Sequence, residues 1–258
     1  MNDARLTLTQ LRYDQKIFWR NPMYVFFTVI QPIIFLVIFV SVFGNDTTMV
    51  AGHLIKRSTY YVPGILAMAI VTATFFNLTI SLTRMRESGV LKRLRSTPLP
   101  SWCFLVSRVG TALVVAALLV VLLAAIGRGG YGVSLPTHTL PGVLLTLAVG
   151  VAAFACLAFA VTSFVPSVDA AAPITNVIVL PLLFISGIFI PNDELPAGMR
   201  HVADFFPIKH LFDALLAGFD PTTRGAGISW HHLAVIAAWG LLGLVVALRR
   251  FRWAPRAS

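Results

Sequence analysis

Six stretches of this chain are almost wholly apolar, and the segments between them carry nearly all of its charge. The stretches are 23–43, 60–83, 103–126, 139–165, 170–190 and 230–248. A bilayer core takes about 20 apolar residues of helix to cross, so each stretch predicts a transmembrane helix. None shows the period-two alternation of a half-buried or barrel strand. The pattern therefore predicts an all-α, polytopic membrane protein with six spans. Tyr60, Tyr61, Trp102 and Trp230 stand at span ends, where aromatic rings are expected at headgroup level. Arg108 is the one basic residue inside a span, close enough to its start to snorkel outward. A column of small residues in the fourth span, Ala148, Ala152, Cys156 and Ala160, predicts close approach of another helix.

The segments between the spans have patterns of their own. Over 1–22, Arg5, Thr9, Arg12, Lys16 and Arg20 form a polar stripe, with Ala4, Leu8, Leu11, Phe18 and Trp19 on an apolar face. Such a helix lies along a membrane surface, with its cations toward anionic lipid headgroups. Asn21-Pro22 ends it and turns the chain into the first span. The acids Asp3 and Asp14, with no small-residue cleavage site after the first apolar run, argue for a retained helix rather than a signal peptide. Loop 84–100 predicts a short basic helix: Val90, Leu91 and Leu94 make an apolar ridge and Pro98 and Pro100 stop it. An apolar ridge among charges suits docking into a groove on a cytosolic protein. Segment 191–229 repeats Leu195, Met199, Val202 and Phe206 at helical spacing, and a second short helix follows at about 208–217.

Composition agrees with this reading. Of the 258 residues 57% are hydrophobic and only 12% charged, against roughly a quarter charged in soluble domains. The net charge of +10 would otherwise suggest nucleic acid. With the N-terminus placed in the cytoplasm, however, 14 of the 20 basic residues fall on the inner side against four acids. The outer side balances six bases with six acids. This is the positive-inside distribution. It predicts a cell-membrane protein with both termini cytoplasmic, and no nucleic-acid partner.

Several chemistries have no residues to carry them. No lysine follows a glycine, so there is no phosphate-binding P-loop, and there is no H-E-x-x-H. Ser186-Gly187 has no histidine or lysine in the interior of a span to act as its base, His231 and His232 standing at the rim of theirs. The spans lack the mid-membrane carboxylates of proton-coupled carriers. Cys103 and Cys156 form no redox or metal motif. The spacing of His201, His210, His231 and His232 makes no helical ligand pair, so no metal site is expected. The chain is expected not to be an enzyme and to hold no cofactor of its own.

Four segments, in order along the chain, resemble the permease subunit of type-2 ABC exporters, the group of antibiotic, lipid and polysaccharide export permeases. They are Arg20-Asn21-Pro22 with Gln31-Pro32 and Val42-Phe43-Gly44; Arg86-Glu87-x-Gly89-x-Leu91-x-Arg93-Leu94-x-x-Thr97-Pro98; Ser186-Gly187 with Ile190-Pro191; and Leu195-Pro196, Phe206-Pro207 and Asp213-Ala214-Leu215. Lys92 stands where the family often has an acid, and Phe206-Pro207 where Asn-Pro is common. The resemblance implies a dimer of six-span subunits, either a homodimer or a pair with a sister permease. It also implies two cytosolic ATP-binding-cassette subunits that bind ATP and Mg²⁺. Loop 84–100 is then the coupling helix, with Arg86, Glu87, Gly89, Leu91, Arg93, Leu94, Thr97 and Pro98 as its coupling residues. The short helices of 191–229 are extracellular and re-entrant.

Polar and aromatic side chains within the spans are candidates to line a substrate path: Gln31, Thr74, Asn77, Ser81 and Asn176, with Phe35 and Phe184. Interhelical hydrogen bonding is the alternative use for the polar ones, and packing for the phenylalanines. Uncharged spans favour an amphipathic cargo such as a drug, antibiotic or lipid. A polysaccharide or lipid-linked glycan exporter is one alternative. A non-transporting membrane anchor that recruits a cytosolic partner through the same basic loop is another.

Overall fold

The computed structural model describes residues 3–44, 46–50, 53–96, 100–191 and 195–251. Helix α1 (Asp3–Trp19) ends at Asn21, whose backbone is extended and whose side chain accepts a hydrogen bond from Tyr24 N. Pro22 takes the first helical position, where its missing N–H costs nothing. Helix α2 then runs over Pro22–Phe43 with a π-turn at Phe26–Ile30. A two-stranded antiparallel hairpin follows, β1 (Thr47–Val50) and β2 (His53–Lys56), with Thr47 opposite Lys56. Helix α3 (Arg57–Glu87) contains a second π-turn at Thr72–Phe76. The short α4 (Val90–Arg95), the long α5 (Ser101–Tyr131), α6 (Leu140–Thr162) and α7 (Val168–Ile185) come next. After these are α8 (Ala197–Phe205), α9 (Pro207–Phe219) and α10 (Trp230–Arg250).

Six of these helices, α2, α3, α5, α6, α7 and α10, are long and apolar enough to cross a membrane. The chain is an all-α polytopic membrane protein, with the hairpin as the only strand pair among the described residues.

Contacts between helix ends define two ends of the bundle. At one, Arg86 meets Thr162 and Val165, and Phe159 meets Phe251; α1 and α4 lie there. At the other, Tyr60 donates to the Gly187 carbonyl, Thr139 donates to that of Gly218, and His138 bonds that of Thr223. Tyr60 and Tyr61 thus point into the bundle and are buried, rather than facing headgroups, because the Gly187 carbonyl satisfies the Tyr60 hydroxyl.

Helix α3 forms the centre, with every residue from Ser58 to Val71 buried. α6 and α10 pack most closely. A Cβ on Gly240 would come within 2.8 Å of Ala153, and one on Gly243 within about 3.0 Å of the Cys156–Leu157 backbone. Of the small-residue column expected in α6, Cys156 lies at the Gly243 contact, beside Leu157, while Ala153, outside the column, meets Gly240. Helix α9 dips beside α6, with Leu211 against Gly150 and Gly218 against Val143. Those levels lie seven residues apart on α6, roughly 10 Å at 1.5 Å per residue.

Candidate functional site

Two features stand out against this frame: the corner where α3 passes into α4, and an apolar groove along α2, α3 and α7. At the corner, Arg86 is 2% exposed. Its guanidinium donates to the carbonyls of Thr162 (2.8 Å) and Val165 (2.7 Å), at the C-terminal end of α6, where helix carbonyls lack internal partners. Glu87, 3.9 Å from Arg86, accepts from the backbone N–H of Val168 at the start of α7 (3.2 Å). A carboxylate at a helix N-terminus also meets the positive end of the helix dipole. One Arg-Glu pair therefore fastens the end of α3 to both flanks of the α6–α7 turn.

Gly89, with φ +72, turns the chain into α4. Leu91 is completely buried and Leu94 half-buried, while Val90, Lys92 and Arg93 are exposed. The ridge expected on this helix thus faces inward through Leu91, and its solvent face is basic with Val90 beside it. Thr97 and Pro98 lie outside the described residues.

The groove has a volume of about 830 Å³. It brings together five of the seven residues expected along a path: Gln31, Phe35, Asn77, Asn176 and Phe184. Phe27, Phe39, Phe43, Phe76 and Phe189 complete an aromatic wall, with Phe39 and Phe184 both packed on Phe189. Phe184 is 53% exposed and Asn176 is also exposed, so this wall is open on one side. Both π-turns contribute, through Phe27 and through Thr72 and Phe76; single-turn π-bulges recur at functional sites. Asn77 Nδ2 donates to Thr28 Oγ1 (2.9 Å), tying the turn in α2 to α3.

Thr74 and Ser81 lie elsewhere. Thr74 is completely buried, its hydroxyl bonded to the Ile70 carbonyl one turn back (2.6 Å). Ser81 lines a separate cavity of about 100 Å³ between α1, α3 and α5. Asn77 and Tyr24 line both spaces and stand between them.

That cavity exposes a pairing that the sequence reading does not contain. Asp14, buried on α1, accepts from Ser107 Oγ (3.0 Å) and Gln10 Nε2 (3.2 Å) and lies 3.5 Å from the Arg108 guanidinium. Arg108 therefore does not snorkel; it anchors α1, and its charge also lies over the Phe104 ring. Burial pushes the Asp14 carboxyl above its ordinary 3.8, while Arg108 and the two hydrogen bonds pull it back in part. Leu11 and Gln15 share this docked face, and Leu8, Tyr13, Ile17 and Trp19 are exposed. The one sequence signal for the pair is a mid-helix acid, Asp14, among the basic residues Arg5, Arg12 and Lys16.

Residues 5–219 match the family model described as ABC-2 type transporter. Nodulation protein J of Rhizobium leguminosarum bv. viciae is 26% identical over 204 residues, covering 77% of this chain and 75% of its own length. A daunorubicin resistance ABC transporter permease protein of Streptomyces coeruleorubidus is 30% identical over 213 residues, covering 79% and 71%. An inner membrane transport permease of Escherichia coli is 22% identical over 194 residues, covering 74% and 75%.

Proposed function

The chain belongs to the ABC-2 type transporter family, and on that premise we propose that it is the membrane-spanning permease of an ATP-driven exporter of amphipathic compounds. ATP and Mg²⁺ are bound by separate cytosolic ATP-binding-cassette subunits, two to a pair of permeases, and the end bearing α1 and α4 faces the cytoplasm. The N-terminal helix α1 lies against the inner leaflet. The observation that carries the reading of the cargo is the groove, with aromatic and aliphatic walls and three amides, Gln31, Asn77 and Asn176, as polar points. An apolar pocket with a few convergent polar groups fits a ligand having an apolar body and polar substituents. A glycan would be better served by a wall richer in hydroxyls; this one offers those of Tyr24 and Thr72 and no charged side chain. The daunorubicin resistance permease among the relatives points toward the same cargo class. The open side of the groove is where a second permease copy would close the path.

Energy reaches the groove through the corner. A cytosolic subunit that grips the exposed Val90, Lys92 and Arg93 face of α4 moves a helix anchored by Leu91 and stapled by Arg86 and Glu87 to the α6–α7 turn. Closure of the ATPase then shifts α7, one wall of the groove, together with α3, another. Such a rigid connection with two arrangements is what a coupling claim requires.

The test is amphiphile-stimulated ATP hydrolysis by the permease and its ATPase reconstituted in liposomes. Stimulation should be present in the wild type and at least about tenfold weaker in affinity in a Phe184→Ala, Asn176→Leu double variant, a loss of roughly 1.4 kcal/mol. A complex that no amphiphile stimulates contradicts the proposed cargo, leaving the glycan exporter and the membrane anchor.

A further inference from the structure

Three of the histidines that look unrelated in the sequence meet in space. His210 belongs to α9, and His231 and His232 are the second and third residues of α10. Neighbouring residues on one helix point roughly 100° apart, so His231 and His232 make no ligand pair alone; α9 supplies the third ring between them. One ligand nitrogen from each lies within 4.8 Å of the other two. The ring centroids are 5.1, 5.5 and 5.7 Å apart, and the Nδ1 atoms of His210 and His232 are separated by 2.8 Å.

The neighbours prepare these rings to ligate. His210 Nε2 is 2.7 Å from the Asp204 carbonyl. A carbonyl only accepts, so Nε2 carries the proton and the lone pair of the neutral ring is on Nδ1, the atom that faces His232. Metal-binding histidines are oriented in this way, the second ring N–H being donated to a carbonyl or carboxylate. The corner carrying Asp204 and His210 is itself fixed to α10: Trp239 Nε1 donates to the Phe205 carbonyl (2.8 Å), and its ring stacks on Phe206 at 5.6 Å. Lys209, the nearest cation in sequence, is paired with Asp204. His210 is buried, His232 half-buried and His231 exposed, which leaves an approach for an ion from one side.

We infer that His210, His231 and His232 form a binding site for a borderline divalent transition metal, Zn²⁺ foremost, which ties α9 to α10 at the end of the bundle opposite α4. Zn–N bonds of about 2.0–2.1 Å in a tetrahedron put donor atoms roughly 3.3 Å apart, between the closest separation here and the widest. Side-chain rotation is enough to close the set. A water takes the fourth position, as in three-histidine zinc sites. An all-imidazole donor set selects Zn²⁺, Cu²⁺ or Ni²⁺ over Mg²⁺ and Ca²⁺, which take oxygen ligands.

The experiment uses the full-length chain in detergent, purified through a tag that contains no histidine and stripped with a chelator. Zn²⁺ alone is titrated calorimetrically, and Co²⁺ is added as a spectroscopic stand-in. The wild type should bind one Zn²⁺ per chain, raise its melting temperature on binding, and give the visible bands of tetrahedral Co²⁺. His231→Ala and His232→Ala should each lower the affinity by at least about a hundredfold, beyond the 10–100-fold typical of losing only a supporting partner. His231 is exposed, so its variant folds whatever happens at His210. His138→Ala, at the same end but outside the cluster, should change nothing. Failure to bind Zn²⁺ stoichiometrically, survival of binding in either His231→Ala or His232→Ala, or equal loss in His138→Ala overturns the site.

Discussion

Arg86 concentrates more structure than any other charged residue described. Its two charge-assisted hydrogen bonds satisfy carbonyls at a helix terminus that water does not reach. Arg86→Ala leaves both acceptors buried and unpaired, at about 1–3 kcal/mol each. The detergent melting temperature should fall sharply, and Arg86→Lys should recover only part, since an ammonium lacks the planar fork that reaches both oxygens. Asp14 makes a subtler prediction. Its carboxyl titrates above 3.8 when docked, so between that value and the raised one the folded chain holds more protons than the unfolded one. Docking of α1 therefore weakens as pH rises through that window and levels off above it. The protection of α1 amides relative to their intrinsic exchange rates should fall over this range in the wild type and stay flat in Asp14→Asn. Arg108→Leu, which strands the buried carboxylate, should be the more destabilising of the two partner substitutions. Neither role is visible in sequence: Asp14 and Arg108 are 94 positions apart, and a basic loop residue such as Arg86 looks solvated until the α6–α7 turn folds over it.

The helices themselves were largely legible. Long apolar runs force helices because unpaired backbone in hydrocarbon is prohibitive, and all six runs became helices of spanning length. Their ends were less legible. Helix α3 continues through Arg84 and Arg86 to Glu87, past the limit that charge set at Thr83, since backbone hydrogen bonding tolerates charged side chains once they reach partners. Thr74, Asn77 and Ser81 share a stripe by spacing, but Thr74 closes its hydroxyl on its own helix, a bond that needs no path. The π-turn at Thr72–Phe76 also shifts the register of that stripe, which a uniform 3.6-residue period cannot anticipate. Where α6 meets α10, the glycines carry the contact. Gly243→Leu should separate the two helices and lower the melting temperature, whereas Leu242→Ala, on the exposed face, should have little effect.

At the scale of the whole molecule, the groove and the α3–α4 corner are joined through α3 and α7, and that connection carries the central claim. Five of the expected path residues converge on the groove because α2, α3 and α7 lie side by side, a neighbourhood that hydropathy cannot supply. The resemblance to a transporter family implies a coupling role for the corner, and the fold separates its buried residues, Arg86 and Leu91, from the exposed Val90, Lys92 and Arg93. The decisive measurement is the amount of amphiphile moved per ATP hydrolysed in liposomes containing the permease and its ATPase, compared between the wild type and the Glu87→Ala and Leu94→Asp variants. Both variants should insert normally and allow ATP hydrolysis to continue, while transport per ATP falls at least about tenfold. Full transport by both variants would mean that α4 and its staple do not carry the drive.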